Sequence, residues 1–204
     1  MREYLKTTIE INDYLKKSDP VLAKIIDDNN LIERPLTLNY FESLLSSIVG
    51  QQLSNKVVDI IWRRLVAVLN NKLDPHLILA TKDEVFREIG LSMRKIEYIK
   101  SLSEYVVDGT INLDDLDKLD NESIIELLTK IKGIGPWTAE MFLIFSLGRE
   151  DIFSTRDGGL QRAVKNLYQF ENNPSLEDLL QISKAWSPYR TYASFYLWDS
   201  LKSG

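Results

Sequence analysis

Residues 128–139 read Leu-Thr-Lys-Ile-Lys-Gly-Ile-Gly-Pro-Trp-Thr-Ala. Upstream, Ile124, Ile125, Leu127, Leu128 and Ile131 recur at helical spacing behind Asn121, a residue type suited to an N-cap. Downstream, Pro136 fits the first position of a new helix, and Ala139, Phe142, Leu143 and Phe145 supply its buried face. The pattern predicts helix, glycine hairpin, helix over 122–148. Gly133 and Gly135 let the backbone come close to a partner, while the second helix presents N–H groups and the positive end of its dipole. Such a hairpin is a cradle for an anion such as phosphate. A glycine pair also serves as a plain turn between core helices, and the pair alone does not separate the two uses.

Outward from the hairpin, the chain reads as mostly helical. Asp19-Pro20 is an N-cap followed by proline, and Val21, Leu22, Ile25 and Ile26 form one stripe, which predicts a helix over 20–28. Phe41, Leu44, Leu45 and Ile48 make a second face; Val57, Ile60, Ile61 and Leu65 make a third behind Ser54, with the short turn Gly50-Gln51-Gln52-Leu53 between them. Thr81 and Glu84 have the spacing of a capping box, Gly90 suits a helix exit, and Ser92 opens a longer helix that Gly109 ends. Alternation at Thr8-Ile9-Glu10-Ile11 is strand-like but too short to imply a sheet. The acidic stretch at 113–122 lacks the glycine and spacing of a calcium loop and reads as solvated, helix-capping sequence, with His76 at a helix start.

With 204 residues, 44% of them hydrophobic, the chain has enough apolar surface to bury a sizeable core. It has no cysteine and one histidine, which excludes disulfides, Cys/His zinc sites, cysteine-held iron–sulfur clusters and thiol nucleophiles. Chemistry is left to carboxylates, hydroxyls, amides and lysines. Even the apolar run Met141 to Phe145 falls far short of the ~20 residues of a membrane helix, and the start lacks a signal-peptide core. The expected setting is the cytoplasm, or the nucleus in a eukaryote, without secretion. The net charge of −5 argues against coating nucleic acid by bulk charge, yet residues 128–166, with six basic and four acidic groups, are the one basic window, and they hold the hairpin.

LTKIKGIGPWTA resembles the helix-hairpin-helix of DNA repair glycosylases. Further segments, in the family order, are similar to the DNA-3-methyladenine glycosylase branch of that superfamily: FESLLSSIVGQQLSNKVVDIIWRRL at 41–65, IGLSMRKIEYIKSLSEYVVDG at 89–109, DIFSTRDGGLQRA at 151–163 and AWSPYRTYASFYLWDS at 185–200. Residues 1–40 add no motif. The resemblance implies an all-α fold of two helical subdomains with a DNA-binding cleft between them, residues 1–35 with 149–204 forming one and 36–148 the other.

The resemblance also assigns roles. Asp157 is the implied catalytic carboxylate; by residue type it is a helix N-cap before Gly158-Gly159-Leu160, and the two roles are compatible because helix N–H groups favour a charged acceptor. Trp137 and Trp198 match base-pocket positions, Met141 stands where relatives can carry a tyrosine, and Tyr192 and Tyr196 are candidates to compensate, although all of these equally suit a core. Gln52, with Gln51 beside it, is the implied wedge that fills the space left by a flipped base; simple solvent exposure is the plain alternative. Gly133 and Gly135, supported by Lys132, Arg162 and Arg190, are the expected phosphate contacts, with Arg190 open to a structural role. Lyase-type members carry a lysine two residues past the second glycine, where this chain has Trp137.

No metal ligands and no cofactor are expected, apart from a monovalent cation that hairpin carbonyls can hold in the family. The expected partner is duplex DNA containing alkylated bases, bound by a monomer with no role for a membrane. The implied activity is hydrolytic removal of alkylated purines, 3-methyladenine first, leaving an abasic site for base excision repair. The alternatives are a glycosylase for deaminated or mispaired bases and a non-catalytic helix-hairpin-helix DNA-binding module.

Overall fold

The computed structural model describes residues 3–202. The chain opens with β1 (Tyr4–Lys6), α1 (Ile9–Ser18), α2 (Pro20–Asp27) and β2 (Glu33–Pro35). It continues through α3 (Tyr40–Gly50), α4 (Asn55–Val68), α5 (Pro75–Ala80), α6 (Asp83–Glu88), α7 (Met93–Val107), a 3-10 turn (Leu113–Lys118), α8 (Asn121–Leu128) and α9 (Pro136–Phe145). Three more helices follow: α10 (Gly158–Leu167), α11 (Leu176–Lys184) and α12 (Arg190–Ser200). Two compact units result, Met1–Leu36 with Leu143–Gly204, and Thr37–Phe142. The second division falls inside α9, where the sequence placed it after residue 148.

In the discontinuous unit, β1 and β2 pair antiparallel with Leu5 opposite Arg34, and Leu5 is wholly buried. The strand-like alternation at 8–11 is a cap and the start of a helix: the Thr8 side chain accepts the Ile11 N–H, and α1 follows. A hydroxyl at that position captures an orphan helix donor, which outweighs four residues of period-two pattern. Asp19 caps α2 through Oδ1, which accepts the Val21 and Leu22 N–H groups at 2.9 and 3.1 Å. Its other oxygen accepts the Trp186 indole N–H at 2.8 Å and the Tyr168 hydroxyl. Burial, and that bond to Asp19, push the Tyr168 pKa far up. A buried carboxylate with four donors is fully hydrogen-bonded, so it ties α2 to residues 149 and 167 positions away without leaving a polar group unsatisfied. Leu15, Leu22, Trp186, Phe195 and Leu197 fill the surrounding core.

In the contiguous unit, α3, α5 and α6 pack against α7, burying Leu44, Leu45, Ile48, Ile78, Phe86, Ile99 and Leu102. Each such side chain contributes roughly 1.5–3 kcal/mol relative to exposure. Ser92 caps α7 by accepting the Lys95 N–H, as its residue type predicts. Two caps differ from expectation. The Thr81 hydroxyl donates back to the Leu77 carbonyl and closes α5 instead of opening α6. α8 is capped by Asp120, whose carboxylate accepts the Ser123 N–H at 2.7 Å, with Asn121 already inside the helix. Among the described residues the fold is all-α apart from two strands of three residues each. Among the described residues no helix is long and apolar enough to cross a membrane.

Candidate active site

In the contiguous unit, the backbone of the hairpin between α8 and α9 takes a left-handed turn at Gly133, φ +87°. A Cβ there would stand 2.1 Å from Cδ2 of Tyr98, a residue of α7 whose ring lies under the turn. Gly133 is therefore required by the protein itself. A Cβ at Gly135 would meet nothing within 4 Å. No neighbour in the chain demands that second glycine, which is the signature expected where an outside backbone approaches.

The turn after α3 is braced against the hairpin. Gln51 donates from Nε2 to the Gly133 carbonyl at 2.7 Å, and Lys95 of α7 donates from Nζ to the Val49 carbonyl at 2.6 Å. Burial holds the Lys95 pKa below its usual value. Gln52 has φ +57°, is exposed, and its side chain makes no hydrogen bond to a described residue. Ser47, Gly50, Gln51, Gln52, Trp137, Thr138 and Met141 line a cavity of about 400 Å³. Trp137, at the first turn of α9, is 45% exposed, too open for a core tryptophan. The structure thus brings Gln51, Gln52, Trp137 and Met141 together, but separates the two glutamines by role: Gln51 is held inward and Gln52 projects.

Lys132 is paired with Glu97 at 2.6 Å, and that hydrogen bond raises the lysine pKa. Arg94, which no sequence signal picked out, lays its guanidinium 5.6 Å from the centre of the Tyr98 ring and donates from Nε to the Tyr98 hydroxyl. The ring that supports Gly133 thereby also carries a cation. The 89–109 segment held both residues, but an arginine and a tyrosine one helical turn apart on an exposed face carry no distinguishing pattern.

In the discontinuous unit, Asp157 is the N-cap of α10. Its Oδ1 accepts the Leu160 N–H at 2.8 Å and the Trp198 indole N–H at 2.9 Å, and the side chain is buried. Gly159 keeps that geometry open, since a Cβ there would lie 2.9 Å from the same oxygen and 3.2 Å from Cδ1 of Trp198. Trp198 packs against Phe145 and Phe195, ring centroids 5.8 and 6.2 Å away. Arg162 is exposed one turn into α10, with Nη1 3.6 Å from where a Cβ of Gly158 would be.

Three expected site residues stand elsewhere. Tyr192 and Tyr196 are wholly buried core side chains, their hydroxyls bonded to Glu150 at 2.7 Å and to Asn12 at 2.9 Å. They share a helix face, as their spacing implies, but that face turns into the core and not toward a pocket. Arg190 grips Asp151 through Nε at 2.7 Å and Nη2 at 2.9 Å, fixing the segment before α10 to the start of α12. Burial works to raise the Asp151 pKa, but the bonds from Arg190 and Ser187 hold it below the usual carboxylate value.

Residues 45–188, a stretch that contains the glutamine turn, the glycine hairpin and Asp157, match the family model described as HhH-GPD superfamily base excision DNA repair protein. The chain belongs to that superfamily. Its fold is similar to that of a DNA-3-methyladenine glycosidase from Bacillus halodurans, with a TM-score of 0.88 and 40% identity over 98% of this chain and 92% of that one. It is also similar to the Schizosaccharomyces pombe 3-methyladenine DNA glycosylase Mag1 in complex with abasic DNA, with a TM-score of 0.81 and 32% identity over 95% of this chain and 97% of that one. A Bacillus subtilis relative, provisionally named a DNA-3-methyladenine glycosylase, is 36% identical over 177 residues, which cover 82% of this chain and 62% of the relative. The chain therefore spans less than two thirds of that relative's length.

Proposed function

We propose that the protein is a monofunctional DNA glycosylase that flips alkylated purines, 3-methyladenine foremost, out of duplex DNA and removes them hydrolytically, acting as a monomer. The observation that carries this reading is the buried Asp157, oriented by both the α10 N-terminus and the Trp198 indole.

Duplex phosphates bind the hairpin N–H groups around Gly133 and Gly135, with Arg162 and Arg94 as supporting charges. Gln52 enters the stack as the damaged base leaves it. The extruded base is received beside Trp137 and Met141, where an exposed indole face attracts a flat, positively charged ring by roughly 0.5–2 kcal/mol. Such a base already carries the charge that a general acid would otherwise supply, so its glycosidic bond breaks without one. The deoxyribose develops oxocarbenium character, which the Asp157 carboxylate stabilises while water adds to the sugar carbon. With Trp137 in the place of the lyase lysine, no amine attacks the sugar, and the product is an intact strand with an abasic site.

A monovalent cation at the hairpin would rest on backbone oxygens, since no cluster of His, Cys, Asp or Glu able to hold a metal ion occurs among the described residues. The Ile131 and Gly133 carbonyls each accept an N–H from within the protein, from Ile134 and Gln51. Each carbonyl keeps a second lone pair that such a cation could use, and no step passes through one.

The test is release of free base from methylated duplex DNA by wild type and by Asp157→Asn, with strand breaks scored before and after alkali. Release by wild type alone, with breaks only after alkali, is the expected result. Full activity in Asp157→Asn removes the carboxylate from the mechanism. Absence of release by wild type moves the reading to other lesions or to a DNA-binding module.

A further inference from the structure

We propose that Gln51 is a positioning residue: it locks the Gln52 turn to the phosphate-binding hairpin, so that gripping the backbone and driving the base out occur as one step. The inference rests on the glycosylase reading and adds to it how the wedge is held.

Residues 51–54 are a four-residue link between α3 and α4 with a non-glycine residue, Gln52, in the left-handed region. A left-handed glutamine is held there only where its neighbours fix it. The chain leading into it is fixed at two points. Val49 is bound by Lys95, and Gln51 is bound to the Gly133 carbonyl, 82 residues along the chain. Gly133 in turn sits on Tyr98, in the same helix as Lys95. Turn, hairpin and the first turns of α7 therefore form one closed set of contacts within the contiguous unit. The Gln52 side chain projects from it without a hydrogen bond to any described residue.

The consequence is preorganisation. A wedge on a swinging turn would lose conformational freedom each time it entered the duplex; a wedge already fixed to the phosphate grip loses less. It also keeps a set offset from the strand, because the group that fixes it is a carbonyl of the hairpin that holds the phosphates. Gln51 touches neither base nor sugar in this scheme and acts through Gln52.

The experiment measures single-turnover excision by Gln51→Met, Gln52→Ala and the double variant, on the alkylated base that wild type releases, placed opposite its normal partner or opposite an abasic site. Methionine keeps the length of Gln51 and removes its donor. On the paired lesion, Gln51→Met is expected to be slower by about tenfold, with duplex affinity within about threefold of wild type. Opposite an abasic site, where no base pair must be broken, most of the deficit should disappear. The double variant should be little slower than Gln52→Ala alone, since the two residues act in series.

Equal rates for Gln51→Met and wild type on the paired lesion overturn the proposal. So does a deficit that is the same opposite the abasic site, because a damaged fold would slow both substrates alike. Additive losses in the double variant also overturn it. If wild type releases no base, the glycosylase reading fails and the proposal fails with it; if wild type releases base and Gln51→Met matches it, this proposal fails alone.

Discussion

Trp198 donates its indole N–H to the very oxygen of Asp157 that caps α10, 2.9 Å away, so one carboxylate oxygen holds both a helix and a neighbouring aromatic ring. Trp198→Phe keeps a ring against Phe145 and Phe195 but removes the donor. A hydrogen bond to a charged acceptor contributes about 1.5–3 kcal/mol. Single-turnover excision should therefore fall by roughly ten- to a hundredfold with duplex affinity nearly unchanged. Wild-type rates in Trp198→Phe would show that the bond does not orient the carboxylate.

The two hairpin glycines should fail differently. Gly133→Ala forces a left-handed alanine and a collision with Tyr98, and should lower thermal stability by about 2 kcal/mol or more. Gly135→Ala meets open space, so its melting temperature should match wild type while binding to damaged and undamaged duplexes weakens alike. Unchanged duplex binding in Gly135→Ala would remove the close-approach role.

Glu97 neutralises Lys132 at the hairpin, with both side chains well exposed. Glu97→Gln should free the lysine for phosphate and tighten duplex binding by a few-fold at low salt. The slope of log K against log salt should steepen by about 0.9, the value for one further phosphate contact. A parallel salt titration for wild type and variant would show that Lys132 stays off the DNA.

Acid should loosen the discontinuous unit first. Burial opposes ionisation of Asp151 and Asp199, yet Arg190 and Ser187 for the first, and Lys202 and Arg34 for the second, hold both pKa values below normal. A carboxylate depressed by folding stabilises fully above its unfolded value, about pH 3.9, and that contribution is lost as pH falls through the lower, folded value. Melting temperature should drop below about pH 4, and Asp151→Asn should lower it at pH 7 while flattening the acid loss. Parallel melting curves of wild type and Asp151→Asn from pH 7 to 3 would contradict this.

Much of the helical frame is written locally. Asp19-Pro20, Ser92 and Gly109 mark helix ends through their own side chains or dihedrals, and the structure uses them so. Where two cap-forming residues compete, as at Asp120 and Asn121, periodicity does not choose between them. Thr81 was illegible because a hydroxyl bonds a preceding carbonyl as readily as it caps a following helix. The short strands pair across the intervening residues 7–32 and carry no pattern of their own. In the site, Asp157 announced its capping role through Gly158-Gly159-Leu160, whereas the Gln51, Lys95 and Tyr98 contacts link residues tens of positions apart through ordinary surface types. Tyr192 and Tyr196 show the converse limit: spacing says that two residues share a face, not what that face meets.

The discontinuous unit also sets an order of assembly during synthesis. Thr37–Phe142 is one unbroken stretch, so the turn, the hairpin glycines and Tyr98 have all been made once residue 142 has emerged. Asp19 and Asn12 must instead wait for Trp186 and Tyr196, the partners of their side chains, 167 and 184 positions further along. Units completed first tend to fold first as the chain leaves the ribosome. The glutamine turn and the glycine hairpin therefore mature before the unit that holds Asp157, and a chain truncated after α9 would keep the former and lack the latter.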